Sequence, residues 1–287
     1  MMQQAESFDV LEREAARIAK ELDLPPCPAI LVQFKQEFHT PHPDLRRLAT
    51  LIGTDIGLSA TMLKTVNSPF YGLAKKATSV GQAMSILGLR ASANLISGLL
   101  LRRVFPSGSG SAMERFWERS TRIAGLAAAI AANLKGVDRD EAQTYVLFRD
   151  CGMLVMLRKF EQYADLVEHG ALISGVQLTR VEDTRFKFNH ARVACALARS
   201  WSLPEPFCEA IFHHHDFALL QNSTAEREAA DRKLVAFGLL AEQIDALRLN
   251  RGLCPDWIDA ERFVLDTLDI DADEIVRLAA DLAAFVD

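Results

Sequence analysis

Apolar residues recur at three- and four-residue steps along most of the chain, and strictly alternating stretches are hard to find. Phe8, Leu11, Ala15, Ile18 and Leu22 set this rhythm and predict an opening amphipathic helix. Leu24-Pro25-Pro26-Cys27-Pro28 stops it, because proline removes a helix donor and restricts the residue before it. The same rhythm predicts helices over 29–38, 45–52 and 57–66, a short helix after Thr78-Ser79 that holds Ala83, Ile86 and Leu87, and a longer one over 89–104. Asp44 is placed to cap the helix at 45. Asn67 is expected to end the helix at 66 in the left-handed region, with Pro69 preventing its continuation. Gly88 is expected to separate the last two. After Pro106-Ser107-Gly108-Ser109-Gly110-Ser111, a linker-like stretch, helices are predicted over 113–134, 139–158, 160–170, 177–185, 190–201, 205–215, 225–248, 256–267 and 272–285. The fold class read from this pattern is all-α.

Composition agrees: glycine and proline are sparse, and Ala, Leu, Glu and Arg fill long windows. At 287 residues, 49% hydrophobic and 24% charged, the chain is long enough for one large domain or two small ones, each with a real core. The longest apolar segment, Ile123 to Leu134, is too short to span a bilayer, so no membrane insertion is expected. No N-terminal stretch has the form of a secretory signal. The five cysteines, Cys27, Cys151, Cys195, Cys208 and Cys254, form no Cys-x-x-Cys pair, which argues against disulfides and a zinc–thiolate site and for a reducing cytoplasm.

The net charge of −6 is unevenly spread. Ile30 to Phe105 carries nine Lys/Arg against three Asp/Glu, or +6, which leaves −12 for the remainder. The basic half either meets an acidic partner or a nucleotide phosphate, or docks on the acidic half of its own chain. Overall acidity argues against general nucleic-acid binding.

Metal-ligand residue types occur in three places: Arg149-Asp150 within Leu147 to Gly152, Asn189-His190 at a helix start, and His213-His214-His215-Asp216 at a helix end. Neutral imidazoles with carboxylates suit iron, manganese or zinc, and helical proteins assemble such sets from several helices. Asp150, His190, His214 and His215 are the candidate ligands. Arg149 is a permanent cation that ligates nothing and repels an ion, and it makes a natural salt-bridge partner for Asp150. His213 is expected to face away from its neighbours at a solvated helix end.

These motifs, in this order, resemble the HDOD family, the HD-related output domain of bacterial signal transduction. Leu24-Pro25-Pro26-Cys27-Pro28 resembles its Leu-Pro-x-x-Pro entry, and Leu45 to Ala49 the helix after it. Asp55-Ile56-Gly57-Leu58 is similar to Asp-Pro-x-Leu, with Ile56 in place of proline. Val66-Asn67-Ser68-Pro69-Phe70-Tyr71-Gly72 is similar to Ala-Asn-Ser-x-x-Tyr-Gly. Leu147 to Gly152 resembles Leu-Leu-His-Asp-Ile-Gly with its histidine replaced by Arg149, and Asn189-His190, Trp201-Ser202-Leu203-Pro204 and His214-His215 continue the match.

The resemblance implies an HD-domain-like multi-helix bundle (the HDOD fold) with an N-terminal helical subdomain. The expected organisation is an N-terminal helix over 1–23, an HDOD domain over 24–245 (24–105 the N-terminal helical part, 112–245 the HD-like bundle) and a C-terminal helical extension over 246–287. Related HD-GYP enzymes hydrolyse cyclic di-nucleotides at a di-metal centre that activates water, and this chain lacks much of what they need. It has no Gly-Tyr-Pro signature, no histidine on the helix from Ala112, where Glu114 and Glu118 stand, and no aspartate between Val235 and Glu242.

The implied function is a non-catalytic output or adaptor module in a bacterial signalling pathway. It acts through a protein partner or a bound small ligand such as a cyclic di-nucleotide. The four candidate ligands are then a vestigial cluster without a cofactor. The alternative is a metal-dependent phosphohydrolase that uses Asp150, His190, His214 and His215 to hold one divalent ion, Fe, Mn or Zn.

Overall fold

The computed structural model describes residues 13–108, 111–134, 136–170, 173–222 and 228–282, which are helical throughout with no strand. Phe8 and Leu11 of the opening helix, Ser109 and Gly110 of the linker, and residues 225–227 and 283–285 of two predicted helices lie outside the described residues. The chain forms two compact units. One is residues 26–106, and the other combines the segments before and after it. The division at 106 falls on the expected linker.

The smaller unit contains α2 (Ala29–Phe38), α3 (Leu45–Gly53), α4 (Ile56–Val66), α5 (Val80–Leu87) and α6 (Leu89–Val104). Leu31, Phe34, Leu48, Ile52, Met62, Val66, Met84 and Ile96 point inward from these helices and are fully buried. Three starts are capped by side chains that accept from the first free backbone N–H groups. Asp44 accepts from Arg46 at 2.8 Å, Asp55 from Leu58 at 3.0 Å, and Ser79 from Gln82 at 3.2 Å. Asp55 also pairs with Arg103 of α6, which ties the start of α4 to its neighbour.

Asn67 departs from expectation: its φ is −84°, and the left-handed residue of this turn is Gly72, at φ 58°. The Asn67 side chain instead clasps the chain ten residues on. Its amide donates to the Ala77 carbonyl at 2.8 Å and accepts from the Ala77 N–H at 2.7 Å. A 3₁₀ turn, Pro69–Tyr71, lies between them.

In the larger unit, α1 (residues 13–21) precedes the excursion and α7 (Ala112–Asn133) follows it. Ser111 caps α7 by accepting from Glu114 N–H. Then come α8 (Arg139–Arg149), α9 (Gly152–Lys159), α10 (Tyr163–Gly170), α11 (Gly175–Phe186), α12 (His190–Ser200), α13 (Glu205–Phe212), α14 (Phe217–Asn222), α15 (Glu228–Arg248), α16 (Trp257–Leu268) and α17 (Ala272–Asp281). α7 and α15 form the centre: α7 packs on α8 and α15, and α15 also packs on α13, α16 and α17. The alanine-rich run in α7 is buried, and small side chains there let helices approach closely. Trp117 and Trp201 are buried packing residues, and the Trp201 indole N–H donates to Pro25 O at 3.1 Å.

Two predicted helices are shorter in the structure. The stretch 139–158 breaks after Arg149, and 205–215 ends at Phe212 with His213 as its cap. The first break follows from a close approach. A Cβ on Gly152 would lie 2.0 Å from the His190 carbonyl oxygen and 2.7 Å from the Ala194 nitrogen, so α9 starts backbone-to-backbone against α12. A helix continuing straight from α8 would not reach that contact. The extension expected over 246–287 is part of the same core, since α16 and α17 pack on α15. All five cysteines are free thiols, and no single helix among the described residues is long and apolar enough to cross a membrane.

Candidate metal centre

The two helix breaks bring the candidate ligands together. Asp150 ends α8, Asn189 caps α12 by accepting from Arg192 N–H and sets His190 at its first position, and His214 and His215 lie in the turn after α13. One ligand atom from each of Asp150, His190, His214 and His215 lies within 4.8 Å of every other. Asp150 Oδ1 is 3.2 Å from His214 Nε2 and 3.6 Å from His190 Nε2, and the Nε2 atoms of His190 and His215 are 3.0 Å apart.

The second nitrogen of each ring faces an oxygen, hydrogen-bonded to it in His190 and His214. His190 Nδ1 meets Glu182 Oε2 at 2.7 Å, His214 Nδ1 meets the Ile211 carbonyl at 2.6 Å, and His215 Nδ1 lies 3.0 Å from Asp256 Oδ2. In His190 and His214 the acceptor at Nδ1 favours the tautomer with its proton there and leaves the Nε2 lone pair pointing inward. The anchors are held in turn. Glu182 accepts from Tyr163 Oη–H at 2.5 Å and from the His190 backbone N–H at 2.9 Å, and Asp256 accepts from Gly175 N–H at 2.6 Å.

Three inward lone pairs and a carboxylate repel one another unless a cation lies among them. Burial opposes charging His190, but the Glu182 carboxylate outweighs it and raises the pKa. His190 Nε2 faces His215 Nε2 at 3.0 Å. Burial and the neighbouring His214 hold His215 neutral, with its pKa lowered to about 4. Asp150 stays well below the usual carboxylate range despite its burial, because Arg149 and His214 favour the anion. His214 Nε2 is buried and makes no hydrogen bond, since Asp150 is close but not aligned with it. That orphaned atom is what a metal ligand looks like without its ion. The residues present fit a divalent cation.

Arg149 occupies the place beside Asp150. It is almost completely buried, donating from Nε to Asp150 Oδ2 at 3.1 Å and from Nη2 to Glu242 Oε1 at 2.5 Å. Glu242 also accepts from Arg119 of α7 at 2.7 Å. A Cβ at position 238 would lie 2.8 Å from Arg149 Nη1 and 3.1 Å from Tyr145 Cε1, so Gly238 makes the room for this guanidinium.

The structure therefore brings together all four residues singled out in the sequence. It also adds Glu182, Asp256, Glu242 and Arg119, which sequence reasoning missed. Glu242 stands at the end of the window searched for a late-helix carboxylate, and its length and place were the available signal. Glu114 and Glu118 take no part in the cluster. His213 turns away from it toward Glu209, at 3.8 Å, as expected.

The family profile of the HDOD domain matches residues 24–217. The chain belongs to the HDOD family. An HDOD domain protein of Geobacter sulfurreducens has a similar solved structure (TM-score 0.66, 23% identity, 96% of each chain covered). A protein of Marinobacter aquaeolei VT8, described as a candidate signal transduction protein, aligns over 98% of this chain and 66% of its own with a TM-score of 0.67 at 21% identity. One of Shewanella amazonensis SB2B, described as a candidate phosphohydrolase, aligns over 92% and 93% with a TM-score of 0.69 at 17% identity. Among curated sequences, an uncharacterized protein of Treponema pallidum (strain Nichols) is 29% identical over 209 residues, 70% of this chain. This chain spans 40% of that relative's length. In this HDOD chain Asp150 is preceded by an arginine with a buried carboxylate partner.

Proposed function

We propose that this HDOD chain is a non-catalytic signal-transduction module that works through a protein partner or a small ligand. In this reading its HD-like unit holds one divalent ion in a closed site of four protein ligands. The observation that carries the reading is the gathering of three imidazoles and Asp150, with one ligand atom of each within 4.8 Å of every other. If the ion is zinc, which is four-coordinate in structural sites, four protein ligands would leave no open position for a water nucleophile. An ion bound there supplies charge and cross-links α8, α12 and the turn after α13.

Arg149 supports the absence of a second ion. Its guanidinium puts a fixed positive charge beside Asp150 and consumes Glu242, a carboxylate that a second site would need. Glu242 offsets part of that charge and is shared with Arg119. Asp150, Glu182 and Asp256 then leave the centre negative until a cation enters. The signalling role rests on HDOD membership.

The test is metal content and hydrolysis measured together, on full-length protein purified without chelators. The reading predicts about one ion per chain, lost in the His190→Ala, His214→Ala double variant, and no turnover of cyclic di-nucleotides or bis(p-nitrophenyl) phosphate. Turnover that disappears in Asp150→Ala would make the chain a phosphohydrolase. A metal-free native protein would remove the ion from the account.

A further inference from the structure

Arg115, Arg119 and Arg122 follow one another on α7 at four- and three-residue steps and so share one face of the helix. That face walls a cavity of about 620 Å³, which Arg149 and Arg251 also line. Five guanidinium groups thus meet three carboxylates, Glu118, Asp150 and Glu168, and Phe116, Ile123 and Met153 add apolar surface. The volume is that of a small-molecule site.

Two of the arginines are held from behind. Arg122 donates from Nε and Nη2 to Asp245 at 2.6 and 2.9 Å, and Arg119 donates to Glu242 at 2.7 Å. Both carboxylates are buried and neither lines the cavity. A guanidinium clamped on one edge keeps its other N–H groups for a ligand and loses little freedom on binding it. Arg115 pairs with Glu168 of the same lining, so the arginines of the wall are pre-oriented by carboxylates, and the lining itself carries five arginines against three acids. The basic stretch from Ile30 to Phe105 was the part of the sequence that suggested a phosphate, and this cavity lies outside it.

We propose that this cavity binds a phosphate-bearing small molecule of nucleotide size, with its phosphate on the arginines and its ring on Phe116, Ile123 and Met153. The cavity shares Arg119, Arg149, Asp150 and Met153 with a smaller cleft of about 80 Å³ that reaches His215 and Asp256. The bound phosphate therefore lies beside the four-ligand cluster. Binding goes beyond the metal reading and does not need an ion.

The test is calorimetric titration and thermal shift of the full chain with guanosine and adenosine mono- and triphosphates and with inorganic phosphate. Each is run on native and chelator-treated protein. At least one nucleotide should bind, more tightly than inorganic phosphate and about equally before and after chelation. The Arg115→Gln, Arg251→Gln double variant changes two exposed side chains and should keep its melting temperature while losing about tenfold or more in affinity. Arg119→Lys should retain part of the binding. Lack of saturable binding by every probe, or unchanged affinity in the double variant, would overturn the proposal. Binding abolished by chelation but untouched by the arginine changes would also overturn it, and would leave the metal reading standing.

Discussion

Arg149 Nη2 and Glu242 Oε1 meet at 2.5 Å across the packing of α8 on α15, both side chains under 10% exposed. A carboxylate from another helix is thus committed to hold the cation beside Asp150. Breaking such a pair leaves a buried charge without its partner, whereas removing both members often costs little.

Glu242→Gln is therefore expected to destabilise the larger unit by about 3 kcal/mol. The Arg149→Met, Glu242→Gln double variant is expected to recover most of that loss, because methionine fills similar space without a charge. Urea unfolding of the full chain measures both. Equal losses in the single and double variants would show that packing, not charge, dominates.

Glu182 and Asp256 act on the centre only through the rings they orient. Glu182→Gln and Asp256→Asn are each expected to weaken metal binding about 10- to 100-fold while the helical circular dichroism stays that of the parent. Chelator competition gives the affinities. Parental affinity in both variants would mean that the imidazoles are held by packing alone.

In the smaller unit, Asp55 caps α4 and pairs with Arg103, and the Leu58 N–H and Arg103 guanidinium lower its pKa. A carboxylate whose folded pKa is depressed adds stability above its unfolded pKa, about 3.9, and loses it as pH falls through the folded value. Asp55→Ala should therefore cost about 1 kcal/mol near neutral pH, with the difference from the parent shrinking below about pH 4. A difference that persists at acid pH would assign the effect to helix propensity.

Much of the fold was legible because helix rhythm and punctuation are local. Asp44 caps where the sequence placed it, a helix follows Thr78-Ser79 as expected, and Gly88 separates α5 from α6. The break after Arg149 was not legible, since apolar residues continue at helical spacing through 139–158 and the cause is the contact of Gly152 with α12. Asp150, His190, His214 and His215 were found by residue type and order. Their anchors were not. Glu182 reads as part of a polar surface in Thr-Arg-Val-Glu-Asp-Thr, and only packing against Tyr163 and His190 buries it. Asp256 lies in a stretch read as an extension, and Arg119 and Glu242 are 123 residues apart. Pairings at that separation leave no periodic trace.

X-ray absorption at the metal edge of natively purified protein tests the closed single-ion centre most directly. The account predicts one shell of four nitrogen and oxygen ligands at about 2.0–2.1 Å, with the outer-shell signature of three imidazoles and no metal–metal scattering. A second metal at about 3.5–4 Å, or a six-coordinate shell rich in water, would contradict it.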